Sequence, residues 1–496
     1  MRLDAGRLPV TSHMIRTKFI ATIGPASDSL ETLGELLDAG VDVFRLNFSH
    51  GTLQQHALTY DRIRSVCRQR GMPAAVMADL CGPKIRVDPI EEDAFSLTPG
   101  DRIDIVSGHV VGDRTRISTN HPELVREVCV GHRVLIDDGA VRLRVEASLP
   151  DRLQCVCEVG GPVSTRKGIN LPDSQLAMSA LTAKDREDLA WAVQHGVDYV
   201  AMSFVRTSAD LRELRELLPL SDDHCRLVAK IETVQAIEHL DEIIESADVI
   251  LVARGDLGVE MDLARVPLLQ KEIARKCRLA GKPVIIATQM LQSMIESPTA
   301  TRAEVSDVAN AILDAADAVM LSAETSVGKF PVEAVRMLAR IAEQTEDYLD
   351  RAAASTALDK NLLLPRVPTA VAHGANLLAR DLDARLVAVW TQTGNTARLL
   401  SKCRLPMPVV GLSPDEHVCR RMAMYYGVIP VQLTREDEVL AMLADVDAML
   451  LERGFATRGD MIVVIAGTRL LQVGSTNALL IHLVGDESSG EPEITG

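Results

Sequence analysis

The sequence predicts an α/β protein: a (β/α)8 TIM barrel carrying a small inserted all-β lid domain, followed by a doubly wound α/β domain. Eight short apolar runs end in polar or glycine-rich clusters, at 22–25, 45–51, 77–79, 202–204, 229–232, 253–258, 287–290 and 321–325. The strand and helix alternation breaks between Asp79 and Thr182, and a second βα rhythm starts after residue 368. Eight parallel strands joined by helices close into a barrel, and such barrels carry their chemistry at the C-terminal strand ends. The polar clusters therefore converge on one mouth.

Residues 1–15 read as a loose arm, because Gly6, Pro9 and Ser12 interrupt any period before the β run from Thr17 to Ile23. The barrel is expected over 16–82 and 171–351. Runs such as Val249–Val252 are apolar without alternation, as suits parallel strands buried on both faces. Asp28-x-x-Glu31, Thr182-x-x-Asp185 and Thr301-x-x-Glu304 fit or resemble capping boxes and mark helix starts. The lid is expected over 83–170, where Pro99-Gly100, Asp137-Asp138-Gly139 and Gly160-Gly161-Pro162 punctuate short alternating segments. D-D-G is a good hairpin signal. An insertion at a βα loop lies over the mouth, placed to close on substrate and exclude water. Residues 352–368 contain two prolines and read as a linker. Strands near 386–390, 409–412, 428–432, 461–466 and 478–483 place the doubly wound domain at 369–484, and 485–496 read as a disordered tail.

A chain of 496 residues is too long for one core. Its net charge of −16 argues against nucleic-acid and membrane partners, which need a basic face, and 3% aromatics leave few stacking platforms. The nine cysteines are scattered without zinc spacing, and Cys155 and Cys157 read as an ordinary buried pair. With no run of signal or membrane-spanning length, a cytoplasmic protein is expected.

Glu232 and Asp256 end the fifth and sixth runs. Adjacent parallel strands lie about 4.8 Å apart, so the two carboxylates can share one hard cation, Mg²⁺ or Mn²⁺. Lys230, two residues before Glu232, falls on the same side of its strand and is placed to neutralise a transferring phosphoryl group or an enolate. Gly255 and Asp256 lead toward a helix whose unpaired N–H groups can accept a carboxylate. Arg45, Asn47, Ser49 and His50 follow the second run, and Lys84 and Arg86 the third; together the cations make a phosphate site. Thr288, Ser322 and Glu324 supply hydroxyl and carboxylate groups on the remaining side, able to relay a proton to carbon. Taken singly, each reads as an ordinary cap or solvated charge. Their joint placement carries the argument.

T-K-F-I-A-T-I-G-P-A-S, R-L-N-F-S-H-G, G-P-K-I-R, K-G-I-N-L-P, V-A-K-I-E, V-A-R-G-D-L-G-V-E, A-T-Q-M-L-Q-S-M-I and T-R-A-E-V-S-D-V-A-N-A, in order from residue 17 to about 350, resemble pyruvate kinases. The resemblance implies phosphoryl transfer from phosphoenolpyruvate to ADP, giving pyruvate and ATP. It implies Glu232 and Asp256 as divalent-metal ligands and Lys230 as stabiliser of the phosphoryl group and enolate. The N–H groups of Gly255 and Asp256, with Thr288, are implied as the substrate-carboxylate site. Arg45 is implied as a phosphate clamp, and His50, Arg86 and Lys167, beside Asn47, as nucleotide contacts. Ser322 and Glu324 are implied in protonating the enolate carbon. The family's quaternary structure implies a homotetramer.

The chain departs from the commoner D-T-K-G-P-E pattern, reading Asp79-Leu80-Cys81-Gly82-Pro83-Lys84. In that pattern Asn47, Ser49, Asp79 and a threonine hold K⁺. Here Leu80 offers no oxygen and Lys84 brings a fixed positive charge, so Lys84 is expected to substitute for K⁺, which is not required. Thr391, Thr393, Gly394, Asn395 and Thr396 resemble an effector-phosphate loop at a helix N-terminus, and 467–477 a second effector loop. Asn395, where a basic residue is frequent, favours AMP or a sugar monophosphate over fructose 1,6-bisphosphate. The competing readings are a magnesium-dependent aldolase or lyase acting on pyruvate enolate, which would not need Arg45, Lys84 and Arg86 with a lid, and a non-catalytic sugar-phosphate sensor. Intact Lys230, Glu232, Asp256 and Thr288 speak against the sensor.

Overall fold

The computed structural model describes residues 14–174, 177–218, 225–353, 366–433, 439–467 and 476–486. The first three strands are β1 (Lys18–Ile23), β2 (Val41–Asn47) and β3 (Ala75–Asp79). An inserted β region follows: β4 (Ile85–Arg86), β5 (Ala94–Leu97), β6 (Arg102–Val106), β7 (Arg116–Ile117), β8 (Arg133–Ile136), β9 (Val141–Leu149), β10 (Arg152–Val159), β11 (Gly161–Ser164) and β12 (Gly168–Asn170). The chain then returns through β13 (Tyr199–Met202), β14 (Arg226–Ile231), β15 (Val249–Ala253), β16 (Val284–Ala287) and β17 (Ala318–Leu321). These five close with the first three into a parallel barrel of order β1-β17-β16-β15-β14-β13-β3-β2.

Strand side chains alternate, so the period of two decides what enters the barrel. Ile20, Val43, Met77, Tyr199 and Val228 fill its interior, while Phe19, Phe44, Val76, Val200 and Leu227 pack outward. Two residues further along each strand, the inward positions become Thr22, Arg45, Asp79 and Lys230. The mouth chemistry thus continues the interior stripe, one layer above the apolar plug.

Helices enter where side chains satisfy their first N–H groups. Thr182 with Asp185 and Thr301 with Glu304 form complete capping boxes, as does Thr52 with Gln55. At the first helix the cap is Ser29, accepting from Thr32 N–H at 3.0 Å, rather than Asp28.

The inserted region forms a sheet of order β4-β12-β8-β9-β10-β6-β7 beside the pair β11-β5. Asp137, Asp138 and Gly139 adopt φ of 55°, 52° and 85°, turning β8 into β9 as the D-D-G signal predicts. The region has its own core, which includes Cys155 and Cys157.

Helix Arg366–Asp381 starts inside the stretch read as linker. Beyond it lie β18 (Leu386–Trp390), β19 (Val409–Ser413), β20 (Val428–Gln432), β21 (Met461–Gly467) and β22 (Thr476–Leu483). Their order is β20-β19-β18-β21-β22, parallel except for the edge strand β22. The expected arm (but for its last two residues), most of the second effector loop and most of the tail lie outside the described residues.

This sheet is docked on the barrel floor by buried charges. Asp198 takes Arg64 at 2.6 Å and Arg420 at 2.8 Å. Asp317 takes Lys402 at 2.6 Å, and Tyr199 donates its hydroxyl to Arg421 C=O at 2.6 Å.

Candidate active site

β1 and β2 pair with Thr22 beside Arg45, and β2 and β3 with Asn47 beside Asp79. That register lets Arg45 Nη1 donate to Thr22 Oγ1 at 2.9 Å and Nε to Asp79 Oδ2 at 2.7 Å. The other oxygen, Asp79 Oδ1, lies 3.3 Å from Lys230 Nζ. Lys230 also reaches Glu232 Oε1 at 2.8 Å and donates to Ser203 Oγ at 2.7 Å. Burial alone pushes the Lys230 pKa down, but Asp79 and Glu232 outweigh it and the net shift is upward. The ammonium keeps its proton. Burial likewise pushes Asp79 up, yet Lys230 and Arg45 hold it below the usual carboxylate range. Two cations and two carboxylates are locked together under the mouth.

Asp256 is not at a strand end: β15 stops at Ala253, and the G-D-L-G quartet lies within helix Arg254–Glu260. Burial, then the nearby charge of Glu232, pushes Asp256 up to about 6, against Lys230 and Lys84. The opposite wall is strained: Thr288 and Gln289 have φ of 69° and 54°, a region β-branched threonine rarely enters. That conformation brings Thr288 Oγ1 to the N–H of Gly255 at 2.7 Å. Thr288 and the N–H of Gly255, both expected at the substrate carboxylate, are thereby brought side by side.

Lys84, Asn170, Asp256 and Glu260 line a cleft of about 100 Å³ between inserted region and barrel. Asn170 on β12 donates to Glu260 Oε1 at 3.0 Å, and burial first, then Asp256, raises Glu260 to about 7. A Cβ at Gly168 would meet Lys84 Cε at 2.9 Å, so glycine here leaves room for the lysine side chain. Lys84 thus faces Asp256, while the charges neutralising Asp79 come from Lys230 and Arg45. Arg86 and Lys167 sit on the neighbouring ladder, where Arg86 pairs with Gly168; Lys167 Nζ bonds Asp137 at 2.9 Å and Arg86 Nη1 bonds Arg166 C=O at 3.0 Å. His50 is exposed on the loop after β2.

Several expected residues hydrogen-bond one another or nearby backbone. Glu324 is buried and accepts the N–H of Ser322 at 2.7 Å and of Leu291 at 3.1 Å. It brackets the two loops that carry Ser322 and Leu291. Asn47 Oδ1 accepts Ser49 N–H at 3.1 Å, and Leu80 is buried. In the loop 391–396, Thr391 Oγ1 accepts Gly394 N–H at 3.0 Å and Thr393 Oγ1 accepts Asn395 N–H at 3.5 Å; Thr396 is buried. Sequence reasoning missed Ser203, which links Lys230 to Leu80 C=O, and Phe204, whose N–H holds Glu232 Oε2 at 2.8 Å. The M-S-F cluster at the β13 end marked the place but not the partner.

The donor set suits a hard divalent ion. Glu232 and Asp256 repel one another in a buried site, which an ion between them would relieve. Among the described residues no group of three or more His, Cys, Asp or Glu side chains is arranged for a metal. An ion held here completes its shell from water and substrate oxygens, the habit of Mg²⁺ rather than of Zn²⁺.

Family models described as "Pyruvate kinase, barrel domain" and "Pyruvate kinase, alpha/beta domain" match residues 14–335 and 369–482. A pyruvate kinase of Agrobacterium vitis is 43% identical, over 94% of this chain and 96% of its own. One of Mycobacterium tuberculosis is 41% identical, over 95% and 99%. The crystal structure of a pyruvate kinase from Cryptosporidium parvum superposes with a TM-score of 0.87 at 33% identity, over 95% of this chain and 96% of that one. With a closed eight-stranded barrel, the charge cluster at its mouth and relatives matching end to end, the chain belongs to the pyruvate kinase family of phosphotransferases.

Proposed function

We propose that the mouth transfers the phosphoryl group of phosphoenolpyruvate to ADP, yielding pyruvate and ATP as the last step of glycolysis. The observation that carries this reading is Lys230, kept protonated between Asp79 and Glu232. A fixed cation there offsets the charge that grows on the phosphoryl group and on the enolate oxygen as the P–O bond breaks. Arg45, braced by Asp79 and Thr22, clamps the phosphate. Thr288 and the N–H groups of Gly255 and Asp256 receive the substrate carboxylate. Ser322 and Glu324, linked by the Ser322 N–H donating to the carboxylate, form part of the route that protonates the enolate carbon. Asn47, His50, Arg86 and Lys167 meet the nucleotide. Glu232 and Asp256 would hold Mg²⁺ or Mn²⁺, which when bound neutralises and orients phosphoryl oxygens.

The same reading makes K⁺ unnecessary. Lys84 supplies fixed charge near Asp256, and buried Leu80 removes an oxygen from the remaining set Asn47, Ser49 and Asp79. It also includes activation by a phosphorylated metabolite, AMP or a sugar monophosphate, at Thr391, Thr393, Gly394, Asn395 and Thr396, within a cytoplasmic homotetramer.

Initial rates of pyruvate and ATP formation from phosphoenolpyruvate and ADP test the assignment. Asp256→Asn and Glu232→Gln should lose nearly all activity with an unchanged circular dichroism spectrum. Lys230→Met should lose turnover by about 10²–10³-fold with little change in the Michaelis constant. Retention of most turnover at limiting Mg²⁺ by either carboxylate variant refutes the metal site.

A further inference from the structure

The chain between β2 and helix Leu53–Arg70 carries His50, one of the residues proposed to meet the nucleotide, with Asn47 closing the strand before it. Side chains from two helices grip this loop. We propose that His56 and Lys184 are positioning residues for ADP, acting through the loop backbone; the inference rests on the nucleotide reading of Asn47 and His50.

Phe48 anchors the loop, since its ring is buried while Ser49 and His50 beside it are exposed. The His56 ring, from helix Leu53–Arg70, stacks on Phe48 with centroids 4.2 Å apart and planes at 25°. Trp191, from helix Ala183–His195, packs on the same ring at 5.4 Å. The backbone is held as firmly as the ring: Phe48 N–H donates to Asp79 C=O at 3.0 Å, and Phe48 C=O accepts Lys184 Nζ at 2.9 Å. Two residues on, His50 C=O accepts His56 Nε2 at 2.9 Å. The exposed His50 side chain therefore springs from a backbone fixed at 48 and at 50.

A carbonyl only accepts, so His56 carries its proton on Nε2. Burial, then Lys184, lowers the His56 pKa against the His50 carbonyl and Asp188, and the ring is neutral near pH 7. Lys184 and Trp191, two turns apart, share a face of their helix. The ammonium is itself tethered, donating to Oδ2 of the buried Asp188 at 2.6 Å. The same turn holds the loop after β3, because Asp185 Oδ1 accepts Gly82 N–H at 3.0 Å. Removing Lys184 leaves that second hold in place. The His56–His50 bond is exposed, so water can replace it without harm to the fold. What the two side chains add is a single loop conformation, which lowers the ordering cost when the nucleotide binds.

Initial rates of the full-length enzyme with Mg²⁺, varying ADP and phosphoenolpyruvate separately, test this. His56→Phe keeps a ring against Phe48 and removes the N–H. It should raise the Michaelis constant for ADP about five- to tenfold, while turnover and the constant for phosphoenolpyruvate stay within about twofold. Lys184→Met combined with Asp188→Asn removes the ammonium without stranding a buried carboxylate and should do the same; Lys184→Arg should stay near the unmutated value. Because His56 acts through the loop, most of its effect should vanish in a His50→Ala background. An unchanged constant for ADP in His56→Phe, or in the Lys184→Met/Asp188→Asn protein, overturns that residue's role. A joint rise of both Michaelis constants with falling turnover makes the contacts merely structural, and full additivity of His56→Phe with His50→Ala overturns the route through the loop. If His50→Ala itself leaves the ADP constant unchanged, the nucleotide reading fails and this inference falls with it. A rise in His50→Ala without one in the other two proteins overturns the positioning role alone.

Discussion

A single ammonium can do what a bound monovalent ion does elsewhere only if it sits where that charge is needed. Lys84 reaches the cleft because Gly168 leaves room for its side chain, and its charge is felt at Asp256. A K⁺ placed within 4 Å of it would be repelled by about 4 kcal/mol at an effective dielectric of 20. Rates should therefore be nearly equal in sodium, potassium and tetramethylammonium salts at matched ionic strength. Lys84→Glu should lose activity and regain part of it with K⁺; strong K⁺ activation of the unmutated protein rules the substitution out. Lys230 and Glu232 stood out in the sequence by residue type and position at a strand end, whereas Lys84 stood out as a departure from the commoner D-T-K-G-P-E pattern. Ser203, Phe204 N–H and the Asn170–Glu260 bond did not, since each gains its role from a partner on another strand or in the inserted region. For Glu324 the sequence shows a carboxylate beside a serine, and only the fold shows backbone N–H groups reaching both its oxygens.

Among elements, helix Asn395–Lys402 carries a fully buried charge toward the barrel floor. Lys402 is 1% exposed and lies 2.6 Å from Asp317, yet neither Lys402 Nζ nor Asp317 Oδ1 completes a well-aligned hydrogen bond. Burial, opposed by Asp317 and reinforced by Arg404 and Arg398, pushes Lys402 down to about 8. An unfolded lysine titrates near 10.5, so between these values the unfolded chain holds a proton that the folded chain has shed. Stability then rises with pH across that window, by about 3 kcal/mol from this residue, and is flat in this contribution below about pH 8. Chemical denaturation of the unmutated protein and of Lys402→Met, from pH 7.5 to 10.5, should show the rise in the first and its loss in the second. Equal slopes would remove the assignment. Strands and helices themselves were legible because apolar runs and capping residues are local signals. The Lys402–Asp317 pair joins a helix of the C-terminal domain to the loop before β17, and no local pattern reports it.

At the scale of the molecule, the cores divide the chain unequally. The inserted β region closes its own core, and its two connections meet as ladder partners, Arg86 opposite Gly168 and Ile85 opposite Ile169. Paired strands are about 5 Å apart, so a bridge of a few residues in place of 84–169 need not strain the barrel. The C-terminal sheet differs, because its apolar layer is continuous with the barrel interior and its cations neutralise Asp198 and Asp317 beneath it. Removing one partner of a buried ion pair typically costs about 3–5 kcal/mol. Asp198 would retain Arg64, but Asp317 would lose both Lys402 and Arg404, and the floor that holds Tyr199 would open to water. The variant bridged across 84–169 should therefore stay soluble, keep the melting temperature of the barrel and lose phosphoryl transfer, whereas truncation after residue 352 should give aggregated protein without a cooperative melt. Size-exclusion chromatography and thermal circular dichroism on the two variants decide it. A truncated barrel that melts cooperatively near the full-length temperature would mean that the C-terminal sheet only rests on the floor, and that Asp317 is solvated without Lys402.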